Sequence, residues 1–254
     1  MLGLISVIVI GFFLGMRHAT DPDHVIAVST IVTQQRSAKR AALVGVFWGL
    51  GHTLTIFVVG CAIILFNVVI PTRLGLAMEF SVSLMLILLG GWNLASFSSV
   101  LPAAQRDAQE RAPAPVGHVH PHPHSHDPEN TLARMDRNFG GSSAYQFIRP
   151  LMVGIVHGLA GSAAVALLIL ATIRNPTWAI AYLLVFGVGT IAGMMVITVS
   201  IASALHYVGS RFQSLGRRMA LVSGVISVGF GLIVAYQICV VQGLFSSNPH
   251  WTPH

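Results

Sequence analysis

The sequence predicts an all-α polytopic membrane protein with six transmembrane helices, arranged as a 3+3 inverted repeat. Of its 254 residues, 54% are hydrophobic and only 9% are charged, and the mean hydropathy is +0.75. A soluble domain carries about 25% charged residues to coat its surface, so this composition excludes an ordinary soluble fold. The apolar residues also occur in runs of about 20 or more, long enough for helices to cross a bilayer. A glycine and histidine pattern that recurs in the second half predicts the repeat.

Six apolar segments account for the predicted spans, and the first of them is interrupted. It is apolar to Met16, polar from Arg17 to His24, and apolar again through Val32. One helix of this length would measure about 45 Å, more than the ~30 Å hydrocarbon core. Because proline removes a backbone donor and clashes with the preceding turn, we expect the first helix to break at Pro22, with the polar residues near mid-membrane. The six segments are 3–33, 41–68, 77–99, 149–173, 177–205 and 218–242.

The spans divide the chain into four parts of different composition. Residues 1–99 hold the first three spans, 149–242 hold the last three, and 243–254 form a short polar tail. The connection 100–148 is rich in proline and polar residues, which predicts a flexible loop. We expect its closely spaced histidines to bind metal loosely, and the alternative is a polar tract without that role. These histidines are His118, His120, His122, His124 and His126.

Lysine and arginine are unevenly divided between the two sides that six spans define. One side carries eleven of them, whereas the other carries Arg73 and Arg174. Since positive residues accumulate on the cytosolic side, this split predicts an inner-membrane protein with both termini outside and the histidine-rich loop in the cytosol. Nucleic acid is excluded as a partner because the positive residues lie between spans rather than on one face. The eleven are Arg36, Lys39, Arg40, Arg106, Arg111, Arg134, Arg137, Arg149, Arg211, Arg217 and Arg218.

Two stretches of the chain match each other at an offset of 139 residues. Gly15 and His18 in the first span align with Gly154 and His157 in the fourth. A repeat of three spans re-enters the membrane from the opposite side, which gives the inverted topology of many secondary transporters, with a site between the repeats. The alternative is that helices rich in glycine and valine resemble one another without a repeat. The remaining spans align as 47–51 with 186–189 and 83–91 with 223–231.

Ionisable side chains within the apolar spans are few, and most of them surround Pro22. His18, Asp23 and His24 offer two imidazoles and a carboxylate, a mixed donor set that suits Ni²⁺, Co²⁺ or Zn²⁺. Such groups are costly inside a membrane unless they are paired, so their presence indicates a functional site. In a regular helix these three positions share no face, whereas a break at Pro22 lets them converge on one ion.

Four further residues extend the predicted metal site. His52 in the second span is expected to supply another ligand, and Asp21, His157 and Arg17 are candidates for ligation or support. One alternative is that Asp23 forms an internal salt bridge with Arg17. Another is that His52 and His157 are core histidines, each bonded to a neighbouring carbonyl group.

Residues 17–27 read Arg-His-Ala-Thr-Asp-Pro-Asp-His-Val-Ile-Ala, which resembles the His-x4-Asp-His signature of the nickel/cobalt transporter (NiCoT/NicO) family. Residues 41–55 are similar to the short urease accessory protein UreH-like members of that family. The resemblance covers essentially all spans and implies Ni²⁺ or Co²⁺ as the transported substrate, with His18, Asp23 and His24 at the signature positions. The histidine-rich loop is also similar in kind to that of the family's nickel/cobalt exporters.

These features predict a secondary transporter rather than an enzyme. The metal ion, Ni²⁺ first and Co²⁺ next, would shed its water into the His18, Asp23 and His24 site, and the two halves would rock to alternate access. The sequence has no G-x-x-x-x-G-K-[ST] motif for ATP, and no permanently bound cofactor is expected. The alternatives are a membrane metallochaperone that assists nickel-enzyme maturation proteins, or a membrane metalloenzyme, although the His-Glu-x-x-His motif is absent.

Overall fold

The computed structural model describes residues 2–32, 37–66, 70–110, 143–159, 173, 175–211 and 213–251. Within these ranges the chain forms helices and no β-strand, which confirms the all-α class. The histidine-rich stretch 118–126 lies outside the described residues, so its predicted metal binding stays a prediction. The helices are α1 (Leu2–His18), α2 (Pro22–Val32), α3 (Ala38–Phe66), α4 (Thr72–Glu110), α5 (Ser143–His157), α6 (Pro176–Arg211) and α7 (Gln213–Tyr236), and a π-helical turn (Gln237–Val241) follows.

Four of the described helices contain stretches long and apolar enough to cross a membrane, by length and composition. They correspond to the second, third, fifth and sixth predicted spans. Shorter apolar helices occupy the first and fourth predicted spans, because each of these spans is interrupted. The four long stretches are Ala38–Phe66, Thr72–Ala95, Pro176–Tyr207 and Arg218–Val241, and the shorter ones are Ile8–His18, Pro22–Val32 and Phe147–His157.

The interruption of the first span lies immediately before Pro22. α1 ends at His18, and in the connecting turn the amide of Thr20 donates to the carbonyl of Arg17 at 2.8 Å and that of Asp21 to His18 at 3.1 Å. Pro22 is the first residue of α2, where a helix has no partner for an amide and the ring meets no preceding turn. Proline therefore starts the second helix as well as stopping the first.

The fourth span is also broken, which the sequence did not predict. α5 begins at Ser143 and ends at His157, and Leu159 then donates its amide to the carbonyl of Val156 at 3.1 Å in a turn. The expected segment 149–173 is therefore not one uninterrupted helix. Glycine at position 158 has low helix propensity, which favours an end at this point.

Helices from the two halves of the chain pack against each other. α1 lies on α6 and α5 lies on α3, while α3 also packs on α6, and α4 on α7. A Cβ atom on Gly15 would collide with the carbonyl oxygen of Phe186, and one on Gly154 with the carbonyl oxygen of Trp48. Small residues at such interfaces let helix backbones touch, as is common in membranes. These contacts hold the C-terminal ends of α1 and α5 close to the centre of the molecule.

α2 is a short helix of 11 residues that packs through side chains on α4, α6 and α7. Ala27 and Val28 are buried in the main hydrophobic core, and the hydroxyl of Ser29 lies 2.9 Å from that of Ser223 on α7. Its first turn lies beside the ends of α1 and α5 and the middle of α3, because the ring of His24 contacts the histidine rings of those three helices.

Candidate metal centre

Four histidines from four different helices meet in the interior of the protein. His18 and His157 end α1 and α5, His24 lies in the first turn of α2, and His52 lies in the middle of α3. Their exposed fractions are only 6%, 0%, 0% and 1%, respectively. Asp23, next to His24, completes the cluster. Buried polar side chains of this kind need hydrogen-bond partners or a metal ion to offset their lost hydration.

The first of two groups in this cluster, here called the first triad, consists of His18, His24 and His52. Their ligand atoms all lie within 4.8 Å of one another. Nε2 of His18 and Nε2 of His52 are 2.9 Å apart, and the ring centroid of His24 is 4.7 Å from that of His18. Two nitrogens that bind one ion at about 2.1 Å each lie about 3 Å apart, so the spacing of the His18 and His52 nitrogens suits a shared ion.

The second triad consists of Asp23, His24 and His157, whose ligand atoms also lie within 4.8 Å of one another. Oδ1 of Asp23 is 3.1 Å from Nδ1 of His24, and Oδ2 is 2.9 Å from Nε2 of His157. The rings of His24 and His157 are the closest of the histidine pairs described here, with centroids 4.1 Å apart. His24 is therefore common to both triads.

Hydrogen bonds to carboxylates decide which ring nitrogens keep a lone pair. A carboxylate only accepts, so His24 donates through Nδ1 and His157 through Nε2 to Asp23, and His18 donates through Nδ1 to Asp21 at 2.8 Å. With neutral rings, Nε2 of His18 then accepts from Nε2 of His52. Three buried nitrogens keep lone pairs without a hydrogen-bond partner: His24 Nε2, His52 Nδ1 and His157 Nδ1. A neutral imidazole binds a transition metal through the lone pair of its unprotonated nitrogen.

The side chains predicted as support have different roles in the structure. Asp21, whose side chain is 35% exposed, holds the ring of His18 from the edge of the cluster, as carboxylates beside metal-binding histidines commonly do. Arg17 is exposed, and Asp23 forms its ion pairs with His24 and His157. The alternative of an Arg17–Asp23 salt bridge is therefore wrong.

The histidines of α3 and α5 bond to side chains rather than to carbonyl groups. His52 contacts His18, and His157 contacts Asp23, so the alternative of core histidines bonded to backbone is also wrong. The sequence predicted His157 as the equivalent of His18 and as a candidate for ligation or support, without naming its partner. Its contact with Asp23 joins two residues 134 positions apart, which spacing within one span does not reveal.

Two aromatic side chains beside the cluster were missed in the sequence. The indole of Trp48 stacks on the ring of His24 with centroids 6.1 Å apart and planes 13° apart, and it is fully buried. The ring of Phe186 lies 5.7 Å from that of His18. Trp48 and Phe186 each precede a glycine of the aligned segments by three residues, Gly51 and Gly189, which was an available signal. Both side chains are buried and cover one face of a histidine ring.

The cluster offers four imidazoles and one carboxylate, with Asp21 as a further carboxylate behind His18. Hard ions such as Mg²⁺ and Ca²⁺ prefer sites made mostly of oxygen, whereas a nitrogen-rich set favours borderline ions such as Ni²⁺, Co²⁺ and Zn²⁺. The arrangement can therefore hold a divalent transition metal in a largely dry interior.

Comparison with known proteins gives two relatives and one family. The chain is 35% identical over 242 residues to "Urease accessory protein UreH" of Bacillus sp. (strain TB-90), covering 95% of this chain and 96% of that protein. It is 23% identical over 230 residues to "Chloroplast protein FOR GROWTH AND FERTILITY 2" of Arabidopsis thaliana, covering 88% of this chain and 54% of that one. No solved structure matches. The family described as high-affinity nickel-transport protein (NicO) matches residues 4–242, which confirms the resemblance found in the signature. The chain belongs to the NicO family of nickel-transport proteins.

Proposed function

We propose that this protein is a secondary transporter that carries a divalent transition metal across the inner membrane, Ni²⁺ first and Co²⁺ second. The observation that carries the proposal is the buried cluster of two triads, set among apolar helices of membrane-spanning length. Membership of a nickel-transport family supports nickel as the cargo. The metal ligands proposed from the sequence, His18, Asp23, His24 and His52, are joined by His157 from the second half.

The packing of the helices supports a 3+3 inverted repeat, in which 1–99 and 149–242 are the two copies. If α1, α3 and α4 correspond to α5, α6 and α7, the contact of α1 with α6 has its counterpart in the contact of α5 with α3. The collisions that a Cβ would cause at Gly15 and Gly154 follow the same exchange. A site between such repeats is typical of secondary transporters.

Transport requires the ion to lose most of its water inside the protein and to regain it on the other side. The imidazoles of the cluster replace that water, and the charge of Asp23 offsets part of the charge of the ion. Thr20 is exposed and Asp21 partly exposed at the first helix break, so this break offers a route between solvent and the cluster. Alternating access then needs a change in how the two halves meet around the cluster.

The proposed orientation places both termini outside and the histidine-rich loop in the cytosol, where it would bind metal loosely. Cysteine labelling of intact cells tests it, in a background that lacks Cys61 and Cys239. We expect His120→Cys to react only after the cells are opened and Thr252→Cys to react from outside. Reaction of both from the same side would contradict three spans between the two positions, and with them the six-span arrangement.

Flux of radioactive Ni²⁺ into proteoliposomes tests the function itself. We expect uptake by the wild-type protein and a loss of more than about 100-fold in His24→Gln, because removing one member of a buried polar group leaves the others unpaired at about 3–5 kcal/mol. His206→Gln is the matched control, since His206 is exposed and distant in sequence from the cluster. Wild-type protein that binds Ni²⁺ but never moves it would contradict the proposal.

The second candidate function is a membrane accessory protein that delivers nickel to a maturing enzyme without transport. The printed name of the relative from Bacillus, a urease accessory protein, favours it. Nickel-enzyme maturation proteins would then be its partners. The flux experiment separates the two functions. An accessory protein of this kind binds Ni²⁺ but does not move it into the interior of the liposomes.

A further inference from the structure

We infer that the two triads are two successive positions of one metal ion, and that His24 is a ligand in both positions. In this arrangement the ion exchanges His18 and His52 for Asp23 and His157 as it crosses the centre of the protein. The inference rests on the proposed transport function and adds the route within the site.

The candidate ligand atoms that all lie within 4.8 Å of one another form two groups of three, and both groups contain His24. The ring of His52 is 5.9 Å from that of His157, its counterpart in the other triad, but only 4.9 Å from the ring of His24. The ring of His24 is in turn 4.1 Å from that of His157. His24 thus stands between the two groups.

The shared residue makes the two positions alternatives. A neutral imidazole has one lone pair, because its other nitrogen carries the proton. His24 can therefore bind one ion at a time, so the second triad gains an ion only as the first loses it. Since His24 is a ligand in both positions, only two of the three ligands are exchanged during passage. An ion that kept no protein ligand would have to cross a buried, largely apolar space, at a much higher cost.

The two positions differ in charge and in origin. The first triad has three neutral imidazoles and comes entirely from the first half of the chain, through α1, α2 and α3. The second triad contains the carboxylate of Asp23 and joins the first half to α5 through His157. The nitrogen-only position selects against Mg²⁺ and Ca²⁺, whereas the position with the carboxylate stabilises the divalent charge. The second triad also exists only while α2 and α5 lie next to each other.

Removing the unshared histidine of each triad tests the inference. His52→Gln leaves the second triad intact, His157→Gln leaves the first intact, and His206→Gln again serves as control. The full-length protein in lipid nanodiscs is titrated with Ni²⁺, its nickel ligands are counted by X-ray absorption, and flux is measured in liposomes. Thermal melting verifies folding, and His52→Asn and His157→Asn replace any glutamine variant that melts early.

We expect one Ni²⁺ per wild-type chain and one per chain in each single variant, with affinity lowered by about 10-fold to 100-fold. X-ray absorption of His157→Gln should show three imidazoles, and that of His52→Gln two imidazoles with an added oxygen ligand. Flux should fall by more than about 100-fold in both, because each keeps one position and lacks the other. The double variant should lose binding as well.

Three results would contradict the inference that one ion occupies two successive positions. Two Ni²⁺ ions bound per wild-type chain would mean simultaneous occupancy. Loss of binding in either single variant as complete as in the double would mean one site of five ligands. Flux at the wild-type rate in either single variant would mean that its triad is not on the route. Failure of the transport function is distinct, since it appears as absent flux in the wild-type protein while the binding and ligand counts still decide between one position and two.

Discussion

The two helix breaks of this protein are built alike but carry different chemistry. The helix before each break ends in a histidine, His18 or His157, and has a glycine three residues earlier that touches the backbone of a helix from the other half. After the first break the chain continues through Asp21 and Asp23, whereas residues 158–165 contain no carboxylate. Packing depends on shape and can be repeated, but a buried carboxylate is tolerated only where a partner or cation offsets its charge. Under the proposed function, the first break would therefore supply the carboxylate that offsets the charge of the ion, and the second break would supply none.

The largest effect is expected from removing the charge of Asp23, which only the first helix break carries. Asp23→Asn keeps the size of the side chain but removes the charge that faces His24 and His157, so Ni²⁺ flux should fall by more than about 100-fold. Because Arg17 is exposed and makes no pair with Asp23, adding Arg17→Gln should not restore flux. Recovery in the double variant would show that the carboxylate serves only to balance Arg17.

The same change at Asp21 should have a smaller effect. Asp21 contacts the far nitrogen of His18 and is partly exposed, so Asp21→Asn leaves the ligand in place and loosens its orientation. Changes behind a metal ligand typically lower metal affinity by about 10-fold to 100-fold. Ni²⁺ titration of the purified protein measures the loss. A larger loss of Ni²⁺ affinity in Asp21→Asn than in Asp23→Asn would show that Asp21, rather than Asp23, offsets the charge of the ion.

Glycine substitutions test whether the two breaks are packed alike. Gly15→Val and Gly154→Val each place side-chain atoms against a carbonyl oxygen of the neighbouring helix, so both should be destabilised, by about 1–3 kcal/mol or more. Thermal unfolding in detergent measures both, and Gly91→Ala is the control, because a Cβ there meets no atom within 4 Å. A large loss at one position and none at the other would contradict equivalent packing.

The smallest effect is expected in the histidine-rich loop, which has no counterpart in either half. Deleting residues 117–127 should leave insertion and flux within about 2-fold of the wild type and change the apparent metal affinity, since a polar, proline-rich connection is not needed by the fold. Proteoliposome flux at several Ni²⁺ concentrations measures both quantities. Abolished flux at normal protein levels would place the loop on the transport route.

The first break was predictable from the sequence, whereas the second was not. Pro22 alone predicts a helix boundary, because the effect of a proline on the backbone is local. The end of α5 at His157 depends on a glycine within an apolar run, and such a run reads as a continuous span. The grouping of Asp23 with His157 then follows only from tertiary packing of α5 on α3, for which a single sequence holds no distance information.

The shortness of α2 has a consequence for how the protein is synthesised. Its 11 residues extend about 16 Å, roughly half of the ~30 Å hydrocarbon core. Two of the helices against which it packs, α6 and α7, leave the ribosome only after residue 175. A nascent chain that has inserted its first 99 residues therefore holds α2 without these two helices, and Asp23 without His157. The second triad is therefore completed only after α5 has been made, and a ribosome that stalls before residue 157 leaves a chain in which Asp23 lacks this partner.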